Sequence, residues 1–357
     1  METRFVSCWR LELLDHVPRK QQIPIDTRSL DLGMNRLKFL HKNSFTKLTE
    51  LVELDLNENQ LELLPSSLFY DLENLRHMYA FRKLHHLYNL NLESNAITAL
   101  DEMIFYDLTN LEDLNLSNNQ IKISHNVLSR LPYGLFNGLV ILQEMYLDNN
   151  YIESIPTDTF RDLIHLTFLD MTANRILRIS YKDFINMANL RSLFLGRNLI
   201  TEINNRTFVG TPRLEKLYLF SNKIEKIELA AFSGLNNLSW LLLNNNLLKL
   251  LPNAIFRRTP SLLRLQIDSN KFMHLPEGLL DDLKQVEQVK LSMNPWHCDC
   301  FILYLTRWLH SNPDKIWDRQ PKCRGPGDLG GKPVIDMTFN SVCDGQWASM
   351  TKIQGRV

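Results

Sequence analysis

Eleven times the chain writes the line L-x-x-L-x-L-x-x-N or a close variant of it, ending on Asn35, Asn59, Asn95, Asn119, Asn150, Asn174, Asn198, Asn222, Asn246, Asn270 and Asn294. From Asn150 onward every step is 24 residues. A length of 357 residues would allow two ordinary domains, but a fixed period overrides that reading. It predicts a repeat solenoid, whose units are each too small to bury an apolar face alone and are stabilised by stacking and by caps.

One copy shows the logic. In Leu214–Asn222, LEKLYLFSN, the residues around Leu217–Leu219 predict a short strand. Side chains alternate along a strand, so Leu214, Leu217 and Leu219 point inward and Lys216, Tyr218 and Phe220 outward. Asn222 closes the turn, its amide pairing backbone groups that burial would leave unsatisfied. A phenylalanine falls ten residues after the asparagine at Phe45, Phe69, Phe105, Phe160, Phe184, Phe208, Phe232 and Phe256, which predicts a buried spine. The pattern resembles the leucine-rich repeat. That resemblance implies an α/β repeat solenoid, a curved leucine-rich-repeat horseshoe with a parallel concave sheet.

Two steps break the period. Asn119 to Asn150 is 31 residues, with the excess within Ile123–Arg130, which predicts a surface loop. Asn59 to Asn95 is 36 residues. Leu75-x-x-Met78-x-Ala80 reads as the start of a repeat whose convex arc is absent, so residues 75–86 predict disturbed stacking between these two turns. A real kink and a skipped or misjoined exon both fit.

After Asn294 the text changes to NPWHCDCFILYLTRWLHSNPD, followed by Cys323 and Cys343. An amphipathic helix near Phe301–His310, with Leu305 and Trp308 inward, could cover the apolar end of the stack. Four cysteines also suit zinc, though their spacing is not a paired C-x-x-C. The segment is similar to the cysteine-flanked C-terminal cap of secreted and cell-surface leucine-rich-repeat proteins, the group holding slit-like guidance proteins and chondroadherin-like matrix proteins. By that resemblance, Cys298 bonds Cys323 and Cys300 bonds Cys343, giving a disulfide-bonded cap and leaving Cys8 unpaired. Cys8, Val17-Pro18 and Ile23-Pro24 look like the tail of the matching N-terminal cap. The resemblance divides the chain into a partial cap at 1–26, about eleven turns over 27–293, the C-terminal cap at 294–345 and a tail at 346–357. The opening residues have no signal-peptide pattern, so the expectation is a sequence that starts inside the cap of a longer extracellular protein, secreted or held at the cell surface.

Composition excludes some functions. Lys+Arg and Asp+Glu are both 40, and a chain with no net charge is poorly suited to tracking nucleic acid or an anionic membrane. No apolar run reaches the length of a membrane-spanning helix. Gly325–Gly330 fits G-x-G-x-x-G but sits between cap cysteines, not between a strand and a helix of a dinucleotide fold. His85-His86 reads as solvated side chains. No serine, histidine and acid converge on a catalytic constellation, and no cofactor or metal is expected. Sequons at Asn115, Asn205 and Asn237 are candidate glycosylation sites, and a glycan on Asn115 would stand on the concave face.

Outward strand positions are acidic and polar in the first half of the chain. Across the next turns they become aromatic at Tyr146, Phe168, Phe194, Tyr218, Phe220 and Trp240, with Lys216 and Arg264 adding charge. Exposed aromatics are typical of binding hot spots. They also suit strands and stack on one another, and both readings stand. The expectation is a non-catalytic module that binds a protein ligand, a matrix or cell-surface partner, in adhesion, matrix assembly or signalling. The alternative is a structural matrix component binding fibrous or glycan partners.

Overall fold

The computed structural model describes all residues except 1–3, 15, 19–22, 46, 66–67, 69–83, 102–103, 124–133 and 344–357. The chain forms two compact units, one comprising Met1–Leu199 with Thr207–Leu214, the other Ile200–Arg206 with Glu215–Val357. Each is a run of three-residue parallel strands joined by turns and short 3-10 segments.

In the first unit, strands Phe5–Ser7, Ser29–Asp31, Glu53–Asp55, Asn89–Asn91, Asp113–Asn115, Glu144–Tyr146, Phe168–Asp170 and Ser192–Phe194 pair in sequence order. The second carries Lys216–Tyr218, Trp240–Leu242, Arg264–Gln266 and Gln288–Lys290 in the same way. Each strand's middle residue is buried and its neighbours point away from the core, as period-two alternation requires. The repeat phenylalanines are buried. Phe105, Phe136 and Phe160 stack at 6.2 and 6.1 Å, and Phe184 stacks on Phe208 at 6.0 Å. Phe136 enters this spine seven places late in sequence but in step in space. Phe69 lies outside the described residues.

The asparagine amides bind each turn to the one before. Asn246 Nδ2 donates to the carbonyls of Leu219 (2.9 Å) and Leu243 (3.0 Å), while its Oδ1 accepts from Ile224 N–H at 3.0 Å. The same geometry recurs at Asn59, Asn95, Asn119 and Asn150.

The 36-residue step corrects one expectation. Strand pairing across it is unbroken: Glu53 aligns with Asn89, Leu54 with Leu90 and Asp55 with Asn91. Asn95 Nδ2 reaches the Leu56 carbonyl at 3.0 Å, and its Oδ1 accepts from Leu61 N–H at 3.0 Å. Leu84 and Leu87 take the places that Leu48 and Leu51 hold one turn earlier, with the same turn hydrogen bond. The step is therefore a single turn between neighbouring strands rather than a truncated repeat. Residues 75–83 of the expected irregular segment, including Met78, lie outside the described residues. So do residues 124–130 of the second irregular segment, whose flanking strand Lys122–Ile123 pairs with Tyr151–Ile152.

Phe5–Ser7 adds a strand that the asparagine pattern does not announce. Cys8 lies 24 residues before Leu32, is buried, and donates its N–H to the Asp31 carbonyl at 2.7 Å. It is a free thiol whose pKa burial pushes up.

At the other end, Cys298 is bonded to Cys323 and Cys300 to Cys343, with Cα separations of 5.6 and 5.1 Å. These bonds remove the zinc alternative for the four sulfurs. Helix Leu303–Ser311 buries Tyr304, Leu305, Thr306, Trp308 and Leu309. Trp296 is fully buried and stacks on Phe272 at 6.3 Å, so the cap continues the apolar column. Gly325–Gly330 leads from strand Cys323–Gly325 into a single 3-10 turn, Gly327–Leu329. Among the described residues, α-helix is confined to the cap, and no helix is long and apolar enough to cross a membrane.

Candidate binding surface

The sheet face away from the leucine core carries every aromatic that the sequence places outward, in two groups. In the first unit, Tyr146 and Phe168 lie 4.9 Å apart, and Phe168 meets Phe194 edge-on at 5.1 Å. The Tyr146 hydroxyl donates to Glu144 at 2.5 Å. Burial first, then this hydrogen bond and the surrounding carboxylates, raise the Tyr146 pKa, so the phenol stays a donor.

In the second unit, Tyr218 stacks on Trp240 at 6.4 Å and contacts Phe220 at 6.5 Å. Cations cover Trp240, with Arg264 Cζ 4.1 Å and Lys216 Nζ 5.6 Å from the ring. Arg264 also lies 5.6 Å from Trp317, and Lys290 Nζ lies 4.2 Å from that second indole. The result is a ladder of alternating cations and rings: Lys216, Trp240, Arg264, Trp317, Lys290. Trp317 is 48% exposed.

The sequence does not reveal Trp317, which belongs to no repeat. The cap brings it in: Ile316 bridges Val289 in parallel, Trp317 N–H donates to the Val289 carbonyl at 3.2 Å, and Asp318 accepts from Ser292 N–H at 2.9 Å. No period in the sequence marks this position: half-buried Ile316 and exposed Trp317 are placed only by that bridge.

All six expected aromatics, with Lys216 and Arg264, are half-buried rather than fully exposed. Each ring covers part of its neighbour, because parallel strands set equivalent side chains about 4.8 Å apart. Stacking therefore accompanies exposure here.

On the same face of the first unit, burial raises the pKa values of Asp55, Asp113 and Asp170, and neighbouring carboxylates add to each shift. Asn115 is half-buried there, its Nδ2 donating to Glu93 at 3.0 Å and its Oδ1 accepting from Ser117 N–H at 3.0 Å. A glycan on Asn115 would replace one hydrogen of the Nδ2 that donates to Glu93. Asn205 and Asn237 are exposed. His85 and His86 have ring centroids 3.9 Å apart. Among the described residues no group of three or more His, Cys, Asp or Glu side chains could hold a metal ion.

The leucine-rich-repeat family model matches residues 26–84, 85–132, 121–176, 165–224 and 188–248, well over half of the chain. The rat platelet glycoprotein Ib beta chain is 43% identical over 58 residues, 16% of this chain and 28% of that protein. Mouse SLIT and NTRK-like protein 6 is 33% identical over 75 residues, 21% of this chain and 9% of that protein. The chain thus spans less than a third of the length of these relatives. Among solved structures, a chain from the octameric complex of latrophilin 3, Unc5D and FLRT2, in which FLRT2 supplies leucine-rich repeats, superposes with a TM-score of 0.75. The two are 25% identical, and the match covers 92% of this chain and 93% of that one.

Proposed function

Because the chain belongs to the leucine-rich-repeat family, we propose that it is a non-catalytic extracellular module that binds a protein partner on its sheet face, in adhesion, matrix assembly or receptor signalling. The ladder around Trp240 carries this reading. Tryptophan, tyrosine and arginine dominate binding hot spots: the two aromatics offer a large contact area with few degrees of freedom to lose, and arginine offers a planar cation that stacks and donates several hydrogen bonds. Here Tyr218, Trp240, Arg264 and Trp317 stand together on one surface with rings and cations already positioned. Tyr146, Phe168 and Phe194 supply a second aromatic group on the same kind of face. The complex of FLRT2 with latrophilin 3 and Unc5D supports a protein as the class of partner. Two disulfides in the cap support an oxidising compartment.

The test is paired. The purified chain is screened against an array of extracellular-domain proteins, and affinity for any binder is measured for wild type, Tyr218→Ala and Trp240→Ala. Loss of a central hot-spot ring should weaken binding by roughly thirtyfold, about 2 kcal/mol. The ring and cation contacts that go with Trp240 should cost the fold only about 1 kcal/mol. Unchanged affinity with a strongly lowered thermal midpoint would make the rings scaffold and move the site elsewhere.

A further inference from the structure

A second surface of the same unit has different chemistry. A groove of about 1470 Å³ lies between the loops that follow Asn246, Asn270 and Asn294 and the C-terminal cap. Small-molecule sites typically run to ~300–1,000 Å³, so this one is large for a metabolite. Its apolar lining is open to solvent: Leu250 is 64% exposed, Met273 49%, Phe301 65% and Phe339 53%. Scattered exposed leucines need no explanation, but four large apolar side chains around one concavity do. The charged lining is unbalanced. Arg307 is paired with Glu277 at 3.1 Å, which leaves Lys249, Lys271 and Arg324 against Glu225.

We propose that this groove docks an apolar peptide segment with acidic flanks, carried by a partner protein. An amphipathic segment laid into such a groove buries its apolar face on Leu250, Met273, Phe301 and Phe339, while its carboxylates meet the lysines and Arg324. Charge selects this occupant over the chain's own end. Residues 344–357 follow Cys343, whose disulfide partner Cys300 lines the groove, but they carry Lys352 and Arg356 against Asp344 alone. They would bring no net negative charge to a basic rim. The groove is built from other residues than the Trp240 ladder, so the two surfaces can fail independently.

Two fluorescein-labelled amphipathic peptides of identical Leu/Phe pattern serve as probes, one flanked by glutamates and one by lysines. Anisotropy titrations use the full chain. The glutamate peptide should bind, and the lysine peptide should bind about tenfold or more weaker. Leu250→Asp should weaken the glutamate peptide about tenfold, as should the pair Lys249→Glu and Lys271→Glu, which should also strengthen the lysine peptide. All three positions are exposed, so thermal midpoints should hold. Trp240→Ala should leave the titration unchanged. The proposal is overturned by equal affinity for both peptides, by no binding of the glutamate peptide, or by indifference to both sets of variants. Binding that emerges only after removal of residues 344–357 would overturn it too, and would assign the groove to the chain's own tail.

Discussion

The asparagine side chain turns a leucine pattern into a stack. Asn246 has its carbonyl oxygen occupied by Ile224 N–H and its amide nitrogen by the Leu219 and Leu243 carbonyls, and it is buried. An alanine there strands several buried backbone groups, each costing ~1–3 kcal/mol when unsatisfied. Asn246→Ala should therefore lower stability by about 3 kcal/mol, read as the urea midpoint. Asn246→Asp should be worse, because it removes both donors and aims a carboxylate at carbonyl oxygens. Equal midpoints for wild type and alanine would show that water replaces the amide. A second residue-scale prediction concerns Asp183, which accepts from Ser180 N–H at 2.6 Å and from its hydroxyl at 3.2 Å. Burial, against the opposing effect of these bonds, pushes its pKa up to about 6. A carboxyl whose folded pKa exceeds its unfolded value binds its proton more tightly when folded, so it favours the fold at low pH and progressively less as pH rises from about 4 to 6. Asp183→Asn has no such term and can still accept from Ser180. Its stability relative to wild type should rise between pH 4 and pH 7, and a flat difference would place that carboxyl at an ordinary pKa.

At the scale of elements, a strand of three residues contributes little alone, and its register comes from the turns on either side. The register is kept across the 36-residue step although that step exceeds the 24-residue period, consistent with the slow growth of loop-closure entropy with length. Phe69-Tyr70-Asp71 is followed by Leu72, and Phe105-Tyr106-Asp107 by Leu108, so Leu72 and Leu84 can both claim the same place in the pattern. Removing residues 72–83 joins Asp71 to Leu84 and restores a 24-residue turn. That deletion should fold, with a thermal midpoint equal to or above that of the full chain. Insoluble protein or a clear drop in midpoint would show that those residues are integral to the stack.

At the scale of the molecule, stability depends on how the ends are closed, since each turn is supported only by its neighbours. The C-terminal closure places Trp296 on Phe272 and the helix residues Leu305, Trp308 and Leu309 in the interior. Its two disulfides close loops with sequence separations of 25 and 43 residues. On chain-entropy grounds each should contribute about 3–4 kcal/mol. The double variant Cys298→Ser, Cys323→Ser should lose about that amount in denaturant titration, and a reductant should lower the midpoint of wild type but not of a variant lacking all four cap cysteines. Insensitivity of the wild type to reductant would mean that the cap holds by packing alone.

The sequence by itself determined everything that one period repeats. The inward leucines, the phenylalanine spine and the asparagine ladder were legible because a contact in a solenoid joins a residue to its counterpart one turn away. The outward positions of Tyr218 and Trp240 were legible for the same reason. Their half-burial was not, since it depends on rings covering one another across strands. The leucine spacing of the 36-residue step points to a truncated repeat, and only the alignment of Glu53 with Asn89 corrects it. Cys8 and Phe5–Ser7 continue the period without its asparagine, so the text hides that strand. Trp317 joined the ladder only through the bridge of Ile316 to Val289, and the groove at Leu250 and Phe301 arises only where the cap packs beside the last turns. Translation by one period carries no information about a segment that folds back. The physical reason is that such contacts are set by the shape of an already folded surface, which no local pattern encodes.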